Sequence, residues 1–237
     1  MSILSNIDVS ILCGGLGKRL RSEIGESQKV MAKVGDDPFL DILLKDLSQQ
    51  GFKRVILCTG FQAQTLEDYY RKNNLGLTIE FSREKEPLGT GGAVKLTQTL
   101  VQSDPFVVMN GDCYSEVNYQ KLVEFYRAKK ARIAMVVTKT EDAKDFGTIT
   151  LDDKKRIISF QEKIAGTGVK YINTGIYCFE KNIYASMPPQ PAFSLEMDVF
   201  PKWAGKEFYG FEIDRGFIDI GTPERYKKAQ QMLKRVK

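Results

Sequence analysis

The sequence predicts an α/β protein: a Rossmann-like, mainly parallel central sheet flanked by helices, with a small mixed region toward the C-terminus. Three observations predict it. Short apolar runs alternate with amphipathic stretches as far as Thr138. The first apolar run leads directly into a glycine-rich turn. Beyond Thr138 the alternation gives way to closely spaced strand-like runs separated by turn residues.

Taken in order, the runs Val9–Cys13, Val55–Thr59, Leu77–Phe81, Phe106–Met109 and Ile133–Thr138 are short and apolar, as strands are. Helical periodicity falls between them, over Phe39–Gln50, Thr65–Lys72, Gly92–Val101 and Tyr119–Lys130. The later strands are Gly147–Leu151, Ile157–Gln161, Tyr171–Phe179 and Phe208–Ile213, interrupted by a helix near Leu195–Trp203. A closing helix runs from Pro223 to about Val236, with Thr222 as N-cap and the proline in the first turn, where its missing N–H costs nothing. No linker, repeat or low-complexity tract divides the chain, so residues 1–237 read as one domain.

Composition narrows the function. With 237 residues and 42% hydrophobic content, about 70% of the open chain's surface can be buried, enough for a core without staples. The longest apolar runs, such as Ile133–Val137, fall far short of the roughly 20 residues a membrane helix needs. The N-terminus lacks a basic region followed by an apolar stretch, so the expectation is a cytoplasmic protein without a secretory signal. Lys and Arg number 35 against 30 Asp and Glu, and the two signs interleave (Arg83-Glu84-Lys85-Glu86). A backbone-tracking basic stripe is therefore missing, and small phosphorylated ligands suit the balance better than nucleic acid. Cys13, Cys58, Cys113 and Cys178 form no C-x-x-C pair and read as reduced residues packed in strands. The chain has no histidine, which excludes Ser-His-Asp and Cys-His mechanisms and His-ligated zinc.

After the first strand comes Leu12-Cys13-Gly14-Gly15-Leu16-Gly17-Lys18-Arg19-Leu20. Glycines there let backbone N–H groups turn toward a phosphate, and a following helix start adds its dipole. The Walker pattern fails, because Arg19 follows Gly17-Lys18 where Ser or Thr belongs. The dinucleotide pattern lacks its third glycine, since Leu20 stands there, which also disfavours a nicotinamide oxidoreductase. A triphosphate held by backbone amides, with Arg19 on the phosphates, is the remaining ligand reading. A merely tight strand–helix turn is its bland counterpart. Asp112 follows the strand Phe106–Met109, and Asp219 follows Phe217-Ile218. Two carboxylates from distant segments suit a Mg²⁺ that keeps waters and takes oxygens from substrate phosphates. The run Asp112-Cys113-Tyr114 lacks the Asp-x-Asp expected for sugar transfer from a nucleotide sugar.

These motifs stand in one order with Lys29, Glu86-Pro87-Leu88-Gly89-Thr90-Gly91-Gly92-Ala93, Asn110-Gly111-Asp112, Glu162-Lys163, Asn173-Thr174-Gly175 and Asp219-Ile220-Gly221-Thr222-Pro223. The whole pattern resembles the sugar-1-phosphate nucleotidyltransferases over nearly the full chain. Within that family it is most similar to short bacterial guanylyltransferases acting on heptose 1-phosphates, with mannose-1-phosphate enzymes as near neighbours. Relatives using UTP, dTTP or CTP are the further alternative, and a non-catalytic nucleotide-sugar sensor is the rival from another class. The resemblance implies that residues 1–138 hold the nucleotide, GTP in preference, and residues 139–237 hold the sugar 1-phosphate. It also admits a homo-oligomer. Arg19, Lys29 and Asp112 are the implied catalytic residues. The nucleotide would lie against Leu12, Gly14, Gly15, Gly17, Glu84, Pro87, Gly89 and Thr90. The sugar phosphate would meet Asn110, Gly147, Glu162, Lys163, Asn173 and Glu196, with Mg²⁺ on Asp112 and Asp219. Glu84 stands where uridylyl and thymidylyl relatives tend to carry glutamine. A carboxylate suits guanine, whose N1–H and 2-amino group are adjacent donors. The chain departs from the family at Gln28, where a proline usually precedes the lysine, and with the sequence stopping after the closing helix the expectation is an enzyme without the hexapeptide-repeat tail of bifunctional relatives.

Overall fold

Alternate residues of a strand point to opposite faces of its sheet, and here both faces are apolar. The computed structural model describes residues 2–15, 17–162, 168–214 and 216–233. In chain order the elements are β1 (Asp8–Leu12), α1 (Arg21–Ile24), β2 (Lys33–Val34), β3 (Asp37–Pro38), α2 (Phe39–Gln50), β4 (Arg54–Thr59), α3 (Ala63–Lys72), β5 (Thr78–Arg83) and α4 (Gly89–Leu96). Then come β6 (Phe106–Asn110), β7 (Cys113–Ser115), α5 (Tyr119–Lys129), β8 (Ile133–Thr140), β9 (Gly147–Leu151), β10 (Ile157–Glu162) and β11 (Lys170–Phe179). The last are α6 (Phe200–Trp203), β12 (Phe208–Glu212), β13 (Phe217–Asp219) and α7 (Pro223–Met232).

Val9 and Ile11 of β1, Val55 and Leu57 of β4, and Val107 and Met109 of β6 pack with Leu43 of α2, Leu66 and Tyr70 of α3, Leu122 of α5 and Ala229 of α7. Ile56, Phe106, Val108, Met135 and Tyr177 face the other way, against Val94 of α4 and Phe200 of α6. The result is three layers, helix–sheet–helix. The main sheet runs β10-β9-β11-β6-β1-β4-β5, with β8 also paired to β11 and β12 paired to β8. It is mixed. Its β6-β1-β4-β5 portion is parallel throughout, as the strand–helix alternation predicts, while the antiparallel pairings all involve β9, β10 or β11.

Three local expectations are corrected, and one element is added. The glycine-rich loop after β1 does not open a full helix: the 3₁₀ turn Lys18–Leu20 and one-turn α1 follow it. Arg21–Ile24 bury no residue, so no apolar face propagates the helix, and Gly25 ends it at φ 63°. The helix predicted over Gly92–Val101 begins at Gly89, and its last part tightens into the 3₁₀ turn Thr97–Thr99. The segment Leu195–Trp203 is a π-helical turn, Leu195–Val199, followed by short α6. Finally, β7 and β13 pair as a separate antiparallel ribbon, too short to show a period in sequence. The expected end of the closing helix near Val236 lies outside the described residues, and α7 is described to Met232.

Candidate active site

The carboxyl ends of parallel strands carry the ligand crevice of an open α/β sheet. Two cavities open at these ends. The first is lined by the loop after β1 (Leu12, Gly14, Gly15), the loop after β4 (Gly60, Phe61), the segment after β5 (Glu84, Lys85, Glu86, Pro87) and the start of α4 (Gly89, Thr90, Ala93). The second is lined by Arg19, Lys29, Asn110, Asp112, Gly147, Glu162, Asn173, Glu196 and Asp219, together with Cys113, Asp145, Phe146 and Arg225. The structure thus brings nearly every predicted site residue to one of two neighbouring walls. Gly17 lines neither. Its left-handed φ of 57° makes the turn into Lys18–Leu20 that carries Arg19, and a Cβ there would meet Lys29 Cβ at 3.1 Å. Lys163 lies outside the described residues.

In the first cavity Glu84 is held without a cation among the described residues. Its Oε2 accepts the N–H of Leu88 at 3.0 Å. Its Oε1 occupies space that only glycine leaves free: an added Cβ would stand 2.7 Å from it at Gly14 and 2.4 Å at Gly60. Burial raises its pKa, against a smaller lowering by the Leu88 N–H. Gly60 and Phe61 are absent from the predicted set. The signal that finds them is the one that found the first loop, a glycine at the carboxyl end of a central strand.

The second cavity is charged. Gly111 lies where its N–H reaches the carbonyl of Leu12 at 3.0 Å, and a Cβ would come within 2.7 Å of that oxygen. This close approach sets Asp112 beside the end of β1. Asp219 pairs in register with Cys113, and the Ile220 N–H donates to the Asp112 carbonyl at 3.0 Å, so both acids sit on one ribbon. Each acid has a cation. Lys29 forms an ion pair with Asp112, and Arg225 stands 3.3 Å from Asp219 while reaching Asp145 at 2.5 Å. Burial pushes the Asp112 pKa up, but the charge and hydrogen bond of Lys29 outweigh it and hold the carboxyl below its usual value. Burial, then Asp112 and Asp219, raise the Cys113 thiol far above its ordinary range, so it stays protonated and donates to Asp112 Oδ1 at 3.3 Å. Arg225 was not foreseen. A cation at the first turn of α7 opposes the helix dipole, so it signals acidic partners, which Asp219 and Asp145 supply.

Around these acids, Gly147 and Glu162 face one another across the β9–β10 ladder. Asn173 holds Tyr177 Oη at 2.7 Å, and β11 breaks register between those two residues, the irregularity that turns Asn173 toward the cavity. As a donor set, the two carboxylates on one ribbon fit a hard cation, which takes oxygen ligands. Two protein ligands would leave positions for water and phosphate oxygens.

Residues 9–235 match the model of the nucleotidyl transferase family. The chain belongs to that family. The D-glycero-alpha-D-manno-heptose 1-phosphate guanylyltransferase of Aneurinibacillus thermoaerophilus is 38% identical over 96% of this chain and 98% of its own length. The protein of the same name from Campylobacter jejuni is 37% identical, covering 91% and 95%. Among solved structures, HddC from Yersinia pseudotuberculosis superposes with a TM-score of 0.86 at 36% identity, covering 96% of this chain and 99% of that one. The same protein complexed with GMP-PN gives 0.85.

Proposed function

We propose that this nucleotidyl transferase moves GMP from GTP to a sugar 1-phosphate, a heptose 1-phosphate by preference, and releases pyrophosphate. The observation that carries the reading is the Glu84 carboxylate, fixed between Gly14 and Gly60 in the less polar cavity with no ion-pair partner among the described residues. An acceptor-only group so placed matches the adjacent N1–H and 2-amino donors of guanine and would face an oxygen on uracil or thymine. The relatives named heptose 1-phosphate guanylyltransferases, alike in length and 37–38% identical, support the same base and acceptor class.

In this reaction an oxygen of the sugar phosphate attacks the α-phosphorus, and the bond from that phosphorus to the α–β bridging oxygen breaks. The attacking oxygen is already anionic, so the chain needs no general base and its work is positioning and charge neutralisation. Arg19 would hold the departing pyrophosphate and Lys29 the α-phosphate. Asn110, Gly147, Glu162, Asn173 and Glu196 would line the sugar, and by resemblance Lys163 would meet its phosphate. Mg²⁺ on Asp112 and Asp219 would add positive charge against the phosphate oxygens. All four cysteines are buried and unpaired, which agrees with a reducing, cytoplasmic compartment.

The test is a matrix of GTP, UTP, CTP and dTTP against heptose, mannose and glucose 1-phosphates with Mg²⁺, read as pyrophosphate released. Fastest turnover is expected with GTP and the heptose. Equal turnover with UTP would overturn the base assignment, and a preference for mannose 1-phosphate would move the acceptor to the hexose class.

A further inference from the structure

Between the two cavities runs a short hydrogen-bonded bridge. Thr90, on the wall of the nucleotide-side cavity, donates its hydroxyl proton to Glu196 Oε2 at 2.6 Å, across 106 residues of chain. The same hydroxyl accepts the backbone N–H of Leu195 at 2.9 Å. Glu196, on the wall of the phosphate-side cavity, receives a second hydroxyl at the same oxygen from Ser194 at 2.7 Å. Ser194 in turn accepts the N–H groups of Glu196 and Met197 at 3.1 and 3.2 Å, so its oxygen both caps the turn and braces the carboxylate.

The backbone around the bridge is equally committed. The N–H groups of Gly91 and Gly92 donate to the Phe193 carbonyl at 3.0 and 3.2 Å, and the Phe193 N–H donates to the Leu88 carbonyl at 2.9 Å. The first turn of α4 and the segment before the π-helical turn are therefore one unit. Leu195–Val199 takes the rarer i→i+5 spacing, a geometry that recurs where a helix must aim a side chain at a site.

A hydroxyl has one proton. Thr90 has given its proton to Glu196, so it has none left to donate to a nucleotide phosphate or ribose. We propose that Thr90 is a positioning residue for the sugar side of the reaction: it holds Glu196 Oε2 and leaves Oε1 aimed at a hydroxyl of the sugar phosphate. Although Thr90 lies on the nucleotide wall, its substitution acts on acceptor binding. This inference rests on the sugar-1-phosphate reading above and adds to it the route by which the wall of one cavity shapes the other.

Thr90→Val keeps the shape of the side chain and removes the hydroxyl, Thr90→Ser keeps the hydroxyl, and Glu196→Gln completes a double-mutant cycle with Thr90→Val. Wild-type turnover with the sugar 1-phosphates is measured alongside them. In Thr90→Val the KM for the sugar 1-phosphate is expected to rise roughly tenfold or more, as for loss of a hydrogen bond to a charged group. GTP affinity, measured by calorimetry without acceptor, is expected to stay within about twofold, because no nucleotide contact is removed. Thr90→Ser should restore the acceptor KM to near wild type. The double variant should be no worse than Glu196→Gln alone. An unchanged acceptor KM in Thr90→Val, with wild type active, overturns the inference and leaves the function standing. A loss of GTP affinity that matches the rise in acceptor KM returns Thr90 to the nucleotide site. If Thr90→Ser fails to rescue while melting temperatures fall together, the bridge is only structural. If wild type uses none of the sugar 1-phosphates, the functional reading falls and takes this inference with it.

Discussion

Glu84 in one cavity and the pair Asp112 and Asp219 in the other are held in opposite ways. In the nucleotide-side cavity Glu84 is wedged between glycines, its only described hydrogen bond comes from a backbone N–H, and burial raises its pKa. In the phosphate-side cavity Asp112 is matched by Lys29 and Asp219 by Arg225. An unmatched carboxylate is costly in isolation and gains most from neutral donors arriving with a ligand. Matched carboxylates are stable as they stand, and on the proposed function their cations, Lys29 and Arg225, would be at hand for the phosphates. On the proposed reading, Glu84 would read hydrogen bonds, while Asp112 and Asp219 would exchange their cations with phosphates and metal.

The sharpest way to break this contrast is Asp112→Asn. The swap is isosteric, so the ribbon should hold, but Lys29 loses its counter-ion and the proposed Mg²⁺ site loses one of two charged ligands. Turnover is expected to fall on the order of a thousandfold, about 4 kcal/mol of transition-state stabilisation. Circular dichroism checks the fold and pyrophosphate release checks the rate. A folded variant with near-normal turnover would show that the charge-exchanging wall lies elsewhere.

The reading wall gives a smaller effect. Glu84→Gln substitutes a donor for an acceptor opposite guanine, and the ratio of kcat/KM for GTP to that for UTP should drop by roughly ten- to a hundredfold. The raised pKa adds a pH signature. Glu84 takes up its proton at a higher pH than an ordinary glutamate, and the protonated form loses an acceptor, so GTP affinity should weaken as pH falls through that pKa. The Gln variant should lose this acid limb. If it keeps the wild-type pH profile, the base is read by another group.

How far the sequence shows this division differs between the walls. Asp112 and Asp219 are legible because each ends an apolar run, and strand ends are where an α/β sheet puts its chemistry. Glu84 is legible as a residue type through the family pattern, but its isolation depends on Gly14 and Gly60, 46 residues apart, lacking side chains at one point in space. The parallel sheet is legible because β1, β4 and β6 are buried on both faces and so read as continuous apolar runs. The antiparallel placement of β11 is not, because an apolar run carries no direction. The π-helical turn and the ribbon of β7 and β13 escape for a similar reason: five residues or three are too few to show a period.

The smallest effect is expected outside both cavities and serves as their control. Glu212 on β12 is an acid with three partners: Lys155 reaches it at 2.8 Å, Lys139 at 3.0 Å and the Tyr171 hydroxyl at 3.0 Å. The hydrogen bond from Lys155 leads in lowering its pKa to about 2, followed by those from Lys139 and Tyr171, against a raising by burial. A folded-state value below the unfolded one means stability that is present above the unfolded pKa and lost as pH falls through the folded one. The loss should run from about pH 5 down toward pH 2. The side chains of Lys139 and Lys155 are 56% and 43% exposed, so solvent screens the pairs, and Glu212→Gln should cost no more than about 1 kcal/mol at neutral pH. Urea midpoints for wild type and variant should converge as the pH is lowered, while kcat and both KM values at neutral pH stay unchanged. A variant with altered acceptor KM would mean that the charges on β12 and β8 reach the site. A constant gap in midpoint at every pH would mean that packing, rather than charge, is what Glu212 contributes there.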